Sequence, residues 1–220
     1  MSTLQVANVH LESTGNNRVQ FLGSNTVGLY AGGSLVLSAN STNAFGSNLG
    51  KQTVWIPAAA MVPNLTTGAA SSSAQTATSG VMLQTLDFDT ATSEFAQFGV
   101  QMPKSWNEGT IICQFVWYQA TTAAGGVVFA IQSASYANAE GIDSTSFGTA
   151  VTAATTGGTG NTVYISAETA AMTVSGSPTA ENYIAFRVYR DVANASDTLA
   201  QDARLLGMKV HYTIDAGKDD

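Results

Sequence analysis

Acidic residues are the side chains in this sequence that are best suited to catalysis or to binding a metal ion. Asp87, Asp89 and Glu94 stand close together in LDFDTATSEF. A pair of carboxyl groups can hydrolyse a glycosidic bond, and carboxylate oxygens also bind calcium. The strict alternation of LDFD, however, is typical of a strand with one buried face, which predicts that both aspartates face water as the strand enters a turn. The pattern favours that structural role and leaves a structural cation as the alternative.

A second acidic group lies in RDVANASDTLAQD and contains Asp191, Asp197 and Asp202. Residues 191–203 form the one plausible helix in the sequence, a polar helix of one or two turns, because Asp, Asn and Ser stand at its start. We therefore expect these carboxylates to cap turns, with a cation near Asp197 as the alternative.

Histidine and cysteine give no metal or nucleophile pattern. Neither His10 nor His211 has another histidine or a cysteine at ligand spacing. Cys113, in TIICQFV, has no positive charge near it in the sequence, which predicts an inert buried thiol. The glycine-rich stretch TTGGTGN, residues 155–161, lacks the lysine and following helix of a phosphate loop and predicts a hairpin turn. We therefore expect no catalytic residue and no cofactor, and we assign no metal site.

Two tryptophans raise the question of stacking on a sugar. Trp117, in FVWYQ, is predicted to lie in the core. Trp106, in PKSWNEG, follows Pro103 in a predicted turn, where an exposed ring could serve as a ligand platform. Trp106 is therefore the candidate ligand contact, with packing in the core as the alternative.

Strand patterns organise most of the chain. From Val81 onward, segments of alternating apolar and polar residues are separated by Gly, Asn, Asp and Pro clusters. Eight such segments predict an all-β fold whose main part, residues 81–220, is a jelly-roll-like β-sandwich. The segments are VMLQTLDFD, EFAQFGVQM, GTIICQFVWYQA, GGVVFAIQSASY, NTVYISAE, AAMTVSG, ENYIAFRVYRD and ARLLGMKVHYTID.

Residues 1–50 form a different unit. Apolar-x-apolar triplets recur there at spacings of ten, eight and eight residues, with turn formers between them. Each repeat is too small to bury its apolar face alone, which favours stacking on neighbouring repeats or on other chains; a plain four-stranded meander is the alternative. The residues predicted to form the subunit or particle interface are Val9, Leu11, Val19, Phe21, Val27, Leu29, Leu35 and Leu37.

Residues 51–80 are predicted to separate these two units. Pro57 and Pro63 disfavour a continuous helix through KQTVWIPAAAMVPN, so this segment is interpreted as a boundary strand. The following stretch, NLTTGAASSSAQTATSGV, is almost free of large apolar groups and predicts a polar loop.

Composition narrows the class of partner. Only 10% of the 220 residues are charged and the net charge is −7, whereas soluble domains average roughly 25% charged residues. So few surface charges favour an assembled, multi-subunit protein, and the negative balance disfavours nucleic acid. No stretch of 18 or more apolar residues occurs and the N-terminal stretch lacks a basic region and an apolar core, so we expect neither a membrane span nor a signal peptide. The single cysteine fits a reducing compartment, and we therefore expect synthesis in a cytoplasm.

The motifs WIPAAAM, MPKSWNEGT and DTLAQDARL resemble a recurrent sequence type found among virion structural genes of tailed bacteriophages and prophages. The likeness covers roughly residues 51–216, and the preceding short β-repeats are similar to those that precede head or fibre domains in phage appendages. This resemblance implies a non-enzymatic, commonly trimeric β protein located in the virion. It brings no catalytic residue with it and does not distinguish head from tail.

These observations predict a homotrimeric capsid decoration or head-fibre protein that attaches through its N-terminal module. Its expected partners are copies of itself and other virion proteins such as the major capsid protein. The alternative is a tail-fibre or spike adhesin that binds host-surface glycans.

Overall fold

The described part of the protein consists mainly of β-strands joined by turns. The structure, a computed structural model, describes residues 8–10, 18–23, 26–31, 34–40 and 50–216, and in the first four ranges it describes the backbone alone. Over these residues no α-helix occurs, and one 3-10 turn spans Ala58–Ala60. The prediction of an all-β chain with a β-sandwich is therefore confirmed. No helix in the described part of the chain is long and apolar enough to cross a membrane.

The first four strands make one antiparallel sheet in the order β1-β2-β3-β4, which is a meander. The side chains of the eight predicted interface residues lie outside what the structure describes, as does the whole of Leu11. The strands are β1 (Asn8–His10), β2 (Arg18–Gly23), β3 (Thr26–Ala31) and β4 (Ser34–Asn40).

Within residues 50–216, eleven further strands form two antiparallel sheets. One follows the order β13-β10-β15-β8-β7, with β5 also paired to β15, and the other follows β12-β11-β14-β9-β6. The strands are β5 (Lys51–Pro57), β6 (Val62–Pro63), β7 (Ala70–Gln75), β8 (Met82–Phe88), β9 (Phe95–Gln101), β10 (Ile112–Tyr118), β11 (Gly125–Tyr136), β12 (Val151–Gly157), β13 (Val163–Ile165), β14 (Tyr183–Arg190) and β15 (Ala203–Thr213).

The core lies between these two sheets. Phe129 of β11 is fully buried, and its ring centroid lies 5.7 Å from that of Phe88, 5.2 Å from that of Phe115 and 6.4 Å from that of Trp117. These three partners belong to the six-stranded sheet, whereas Phe129 belongs to the five-stranded sheet. Burial of each such side chain contributes about 1.5–3 kcal/mol to stability. This aromatic cluster therefore contributes strongly to the packing of the two sheets against each other.

The predicted boundary segment is part of the sandwich. β15 pairs with β10 along one side, and along the other it pairs first with β8 and then with β5. Ile56 of β5 packs against the core, and Trp55 lies on the outer face, where it covers Gly207. Residues 51–57 therefore supply a strand that is hydrogen-bonded to β15.

The predicted polar loop also contains a strand, since β7 pairs with β8 from Ala70↔Asp87 to Gln75↔Met82. A serine-rich edge strand needs no large apolar side chain, because its partner strand supplies the ladder hydrogen bonds. The glycine-rich stretch after β12 is not a hairpin turn either, because β12 and β13 belong to different sheets. It crosses from one layer to the other.

The predicted helix at 191–203 is wrong. The segment forms successive turns, in which Asn194 N donates to Asp191 O and Asp197 N donates to Asn194 O. Thr198 N and Leu199 N then donate to Gly126 O of β11. The backbone groups that would build a helix are therefore used in turns and in contacts with the sheet.

The predicted strand AAMTVSG makes only isolated bridges, at Met172 and Ser175. The chain from Ser166 to Met172, which includes the start of this segment, runs beside β10, and two of its hydroxyl groups accept backbone N–H groups of that strand. Phe115 N donates to Ser166 Oγ and Cys113 N donates to Thr169 Oγ1, at 3.0 Å in each case. We call residues 166–172 the hydroxyl strap, since side-chain oxygens take the place of backbone acceptors there.

Candidate functional site

A groove crosses the outer face of the five-stranded sheet where β6, β9 and β14 meet the loop after β6. Its volume is about 560 Å³, which falls within the ~300–1,000 Å³ range of small-molecule sites. The groove is lined by Ala60, Val62, Pro63, Asn64, Leu65, Thr66, Gln97, Phe98, Gly99, Tyr183 and Ala185.

One wall of the groove is a tight loop held against Phe95. Asn64 N donates to Phe95 O over 3.1 Å, and Phe95 N donates to Thr67 O over 2.8 Å. Thr67 has a φ of 56°, a left-handed conformation that is uncommon for threonine. At Gly68 any Cβ would collide with the backbone of Asn64, so the loop can close this tightly only around a glycine. The wall is thus built before any ligand arrives.

The floor of the groove is an aromatic ring laid over a glycine. Ala185 of β14 pairs with Gly99 of β9. Tyr183 lies two residues before Ala185 and therefore on the same face of the sheet. A Cβ at position 99 would collide with the Tyr183 ring, which shows that the ring occupies the space that this glycine leaves. Tyr183 remains 45% exposed. The ring is therefore fixed on the sheet side and open toward solvent.

Two amides provide the hydrogen-bonding groups beside this ring. Gln97 Nε2 donates to Asn64 Oδ1 over 2.7 Å, which ties the sheet to the wall. An amide pair has two carbonyl oxygens and four N–H donors, and this bond uses only one donor and one acceptor site. Gln97 Oε1 and the Asn64 amino group thus retain capacity for a ligand. The rim is apolar, with Val62 and Leu65 both well exposed.

The groove is electrically neutral, because none of its eleven described lining residues is charged. The nearest cation along β14 is Arg187, which pairs with Gln97 across the strands and whose guanidinium is held against neighbouring side chains. Arg187 Nη2 donates to Gln132 Oε1 over 2.6 Å, and its Cζ lies 4.5 Å from the Phe147 ring centroid and 5.2 Å from that of Phe95. The arrangement suits an uncharged ligand with a flat apolar face and hydroxyl or amide edges.

Trp106, the candidate ligand contact from the sequence, does not belong to this groove. It is only 1% exposed, and its backbone is fixed by a bridge to Ile214. The prediction of an exposed Trp106 ring is wrong, because Pro103 and the following turn fold the indole into the core. Trp117 is fully buried, as predicted. The sequence did not single out Tyr183, since any aromatic residue on the wet side of an alternating strand gives the same pattern.

The acidic residues of LDFDTATSEF serve the fold. Asp87 does not face water as predicted; it is largely buried, accepts the Thr85 hydroxyl over 2.6 Å and lies 3.4 Å from Arg204 Nε. Asp89 caps the turn, because its Oδ1 accepts the amides of Ala91 and Thr92. Those two bonds lower the pKa of Asp89. Glu94 Oε2 in turn accepts Asp89 N over 2.9 Å.

The second acidic group is divided between the interior and the surface. Asp197 is buried against Arg190, with 2.7 Å between its Oδ1 and Nη2. Asp191 stays in the loop, where its Oδ2 accepts Asn194 Nδ2 over 3.4 Å. Asp202 is exposed; desolvation and the charges of Asp89 and Asp87 raise the pKa of its carboxyl. Within the described residues no three His, Cys, Asp or Glu side chains form a group suited to a metal ion.

His211 and Cys113 also have structural surroundings. His211 Nδ1 and Thr53 Oγ1 are 2.9 Å apart, joining β15 to β5. Cys113 is fully buried, as predicted, and this burial raises the pKa of its thiol well above the ordinary value. A thiol in that state is a poor nucleophile. The side chain of His10 lies outside the described residues.

Comparisons with known proteins give no family. No protein-family model matches the chain, and no curated protein matches it. Among solved structures, a family 35 carbohydrate-binding module from Clostridium thermocellum is 14% identical at a TM-score of 0.41, covering 72% of this chain and 97% of that chain. The CBM22-1 and GH10 modules of xylanase 10B from the same organism, complexed with xylohexaose, are 13% identical at 0.41, covering 77% of this chain and 29% of theirs.

A family 11 carbohydrate-binding module from Clostridium thermocellum, in complex with a β-1,3-1,4-mixed-linked tetrasaccharide, is 12% identical at a TM-score of 0.37. It covers 77% of this chain and 98% of that chain. At these identities and TM-scores, neither membership of a family nor a ligand for this chain follows.

Proposed function

We propose that the chain is a non-enzymatic structural protein of a tailed-bacteriophage virion. In this proposal three copies associate through the β1–β4 sheet and attach to the particle, while the sandwich projects outward as a capsid decoration or head-fibre protein. The motifs WIPAAAM, MPKSWNEGT and DTLAQDARL support the virion assignment, and the low content of charged residues supports assembly. The structural bonds of Asp87, Asp89 and Asp197 argue against a catalytic role for these three carboxyl groups.

The observation that carries the proposal is the size and register of the first sheet. Its strands are three to seven residues long, and the register brings Val9, Val19, Leu29 and Leu37 into one row across all four strands. A sheet this small needs a second layer to be stable. Copies of the same sheet would supply that layer around a threefold axis, and three modest contacts then add up to firm attachment through avidity.

Substitution within that row tests the proposal. We expect Val19→Asp with Leu29→Asp in the full chain to abolish the trimer mass in sedimentation and to abolish binding to purified particles that lack the protein. Val163→Asp, on the exposed edge of the sandwich, is the matched control and should change neither. A chain lacking residues 1–45 that is still trimeric and still binds particles would refute the assignment.

The groove favours a second candidate, a tail-fibre or spike adhesin that binds host-surface glycans. A preformed groove with an exposed aromatic floor is a binding feature that a purely structural shell subunit does not need. Imaging of particles with this subunit tagged separates the candidates. Label over the whole head supports a decoration protein, whereas label confined to the tail supports the adhesin.

A further inference from the structure

We propose that the groove over Gly99 binds a neutral sugar, with one pyranose ring stacked on Tyr183 and its hydroxyl groups hydrogen-bonded to Gln97 and Asn64. This inference deepens the binding role proposed for the sandwich and names the chemical class of its ligand. It applies equally to a head-fibre and to a tail-fibre location.

The first argument is the fixed position of the aromatic ring. Tyr183 lies in the space above Gly99, so it loses little freedom when a ligand covers its open side. One face of a pyranose carries axial C–H groups and is apolar, which suits a rigid aromatic surface that is half exposed. The tight loop at Gly68 holds the opposite wall at a constant distance from that ring.

The second argument is the pairing of polar groups. Gln97 and Asn64 are joined at 2.7 Å and offer a carbonyl oxygen and an amino group on adjacent positions. Sugar hydroxyls both donate and accept, so neighbouring hydroxyls can satisfy both amides at once. Because these amides belong to the sheet and the wall, a bound sugar would bridge the two.

The third argument is charge. Sialic acids and uronic acids carry a carboxylate, and a site that selects them needs a free cation. Arg187, opposite Gln97, is the nearest cation on β14, and its Nε and Nη2 donate to Gln132 Oε1 while its guanidinium lies over the rings of Phe147 and Phe95. These contacts hold the guanidinium along the sheet. Because the lining itself carries no charged side chain, we expect the groove to favour uncharged sugars.

A peptide strand is a poorer occupant of the same groove. Peptides that add to a sheet need a free edge with several N–H and C=O groups. The edge strand here, β6, has two residues, and one of them is Pro63, which has no N–H to donate. Addition of a strand at this edge is therefore blocked, whereas a ring-shaped ligand needs no backbone ladder.

The experiment uses the full chain and defined oligosaccharides. Maltohexaose and cellohexaose serve as neutral probes, and sialyllactose and tetragalacturonic acid as acidic probes, with binding followed by NMR of the tyrosine rings and by calorimetry. We expect at least one neutral probe to bind and to shift the Tyr183 ring signals. Tyr183→Ala should weaken that binding about tenfold or more, as loss of an aromatic contact of about 1.4 kcal/mol implies.

The opposite face of the sandwich provides a matched control. Trp55 is 46% exposed and lies over Gly207 as Tyr183 lies over Gly99. Trp55→Ala should leave sugar binding unchanged. Gly99→Ala keeps the tyrosine but pushes its ring off the sheet, so it should weaken binding as Tyr183→Ala does while thermal unfolding shows that the variant is folded.

The outcomes separate this inference from the proposed function. Stronger binding of an acidic probe that still depends on Tyr183 would overturn the neutral assignment and keep the groove as a binding site. No binding of any neutral probe, or binding unaffected by both Tyr183→Ala and Gly99→Ala, would overturn the sugar site. Trimer formation and particle attachment through the first sheet are measured independently and would stand in either case.

Discussion

Arg190 and Asp197 form a doubly hydrogen-bonded ion pair inside the sandwich, with Nη2 2.7 Å from Oδ1 and Nε 3.0 Å from Oδ2. Their side chains are 0% and 2% exposed. Arg190 also donates to the carbonyl oxygens of Leu199 and Gln201, and Asp197 accepts Val128 N. The pair therefore fastens the loop 191–202 to both β14 and β11, which is why this polar segment forms turns rather than a helix.

Removing one charge of this pair should destabilise the fold severely. Asp197→Asn leaves the shape nearly unchanged but leaves Arg190 buried without a counter-charge, at an expected cost of about 3–5 kcal/mol in the free energy of unfolding. Denaturant titration measures this loss. Asp143→Asn, on an exposed turn, is the control and should stay within about 0.5 kcal/mol of the parent chain. Equal midpoints for the two variants would show that the pair has no such role.

The aromatic cluster at Phe129 should be the most sensitive part of the apolar core. Phe129→Ala removes contacts with Phe88, Phe115 and Trp117 and opens a cavity between the sheets. We expect a loss of about 3–5 kcal/mol in unfolding free energy. Ile142→Ala, at a well-exposed position, provides the comparison. A loss at Phe129 no larger than at Ile142 would contradict the assignment of the cluster to the interface between layers.

The hydroxyl strap makes a specific prediction at Thr169. Thr169→Val keeps the shape of the side chain but removes the acceptor of Cys113 N, leaving a buried N–H without a partner. The expected cost is about 1–3 kcal/mol, and hydrogen exchange at the Cys113 amide should speed up in parallel. Thr152→Val, on an exposed position of β12, lacks this effect. Unchanged protection of the Cys113 amide would mean that the hydroxyl is dispensable.

Two carboxyl groups should respond to pH in opposite directions. Partial desolvation and the charges of Asp89 and Asp87 raise the pKa of Asp202, so its ionised form costs stability, and that cost appears as pH rises through the folded-state pKa. Asp202→Asn should therefore gain stability over the parent near pH 7 and lose this advantage near pH 3. The pKa of Asp89 is lowered by its turn amides, so its contribution is present above the unfolded pKa and is lost as pH falls.

Asp89→Asn should accordingly be less stable than the parent at neutral pH and equal to it in acid. Urea unfolding of both variants and of the parent chain between about pH 3 and pH 7 gives the two difference curves. Stability differences of the same sign for the two variants at neutral pH would contradict the opposite contributions expected of Asp202 and Asp89.

The alternation of apolar residues was sufficient to predict the fold class and most strands of the sandwich, because burial of one face is a local property of a strand. It failed where partners from elsewhere in the chain decide the structure. The serines of β7 form a strand because their backbone is hydrogen-bonded to β8. Residues 191–203 form turns because their backbone groups bond to Arg190 and to Gly126 O. Tyr183 became a platform only because Gly99, on another strand, leaves room for its ring.

The pairing of β15 also has a consequence for folding during synthesis. This strand pairs with β10, β8 and β5, and its Thr213 pairs with Lys51, which lies far earlier in the chain. A nascent chain that ends before residue 203 therefore lacks the strand that connects the other members of the six-stranded sheet. Such long-range pairing is slow and leaves strand edges exposed meanwhile. The six-stranded sheet is therefore completed late, after β15 has been translated, and only then can the two sheets pack fully against each other.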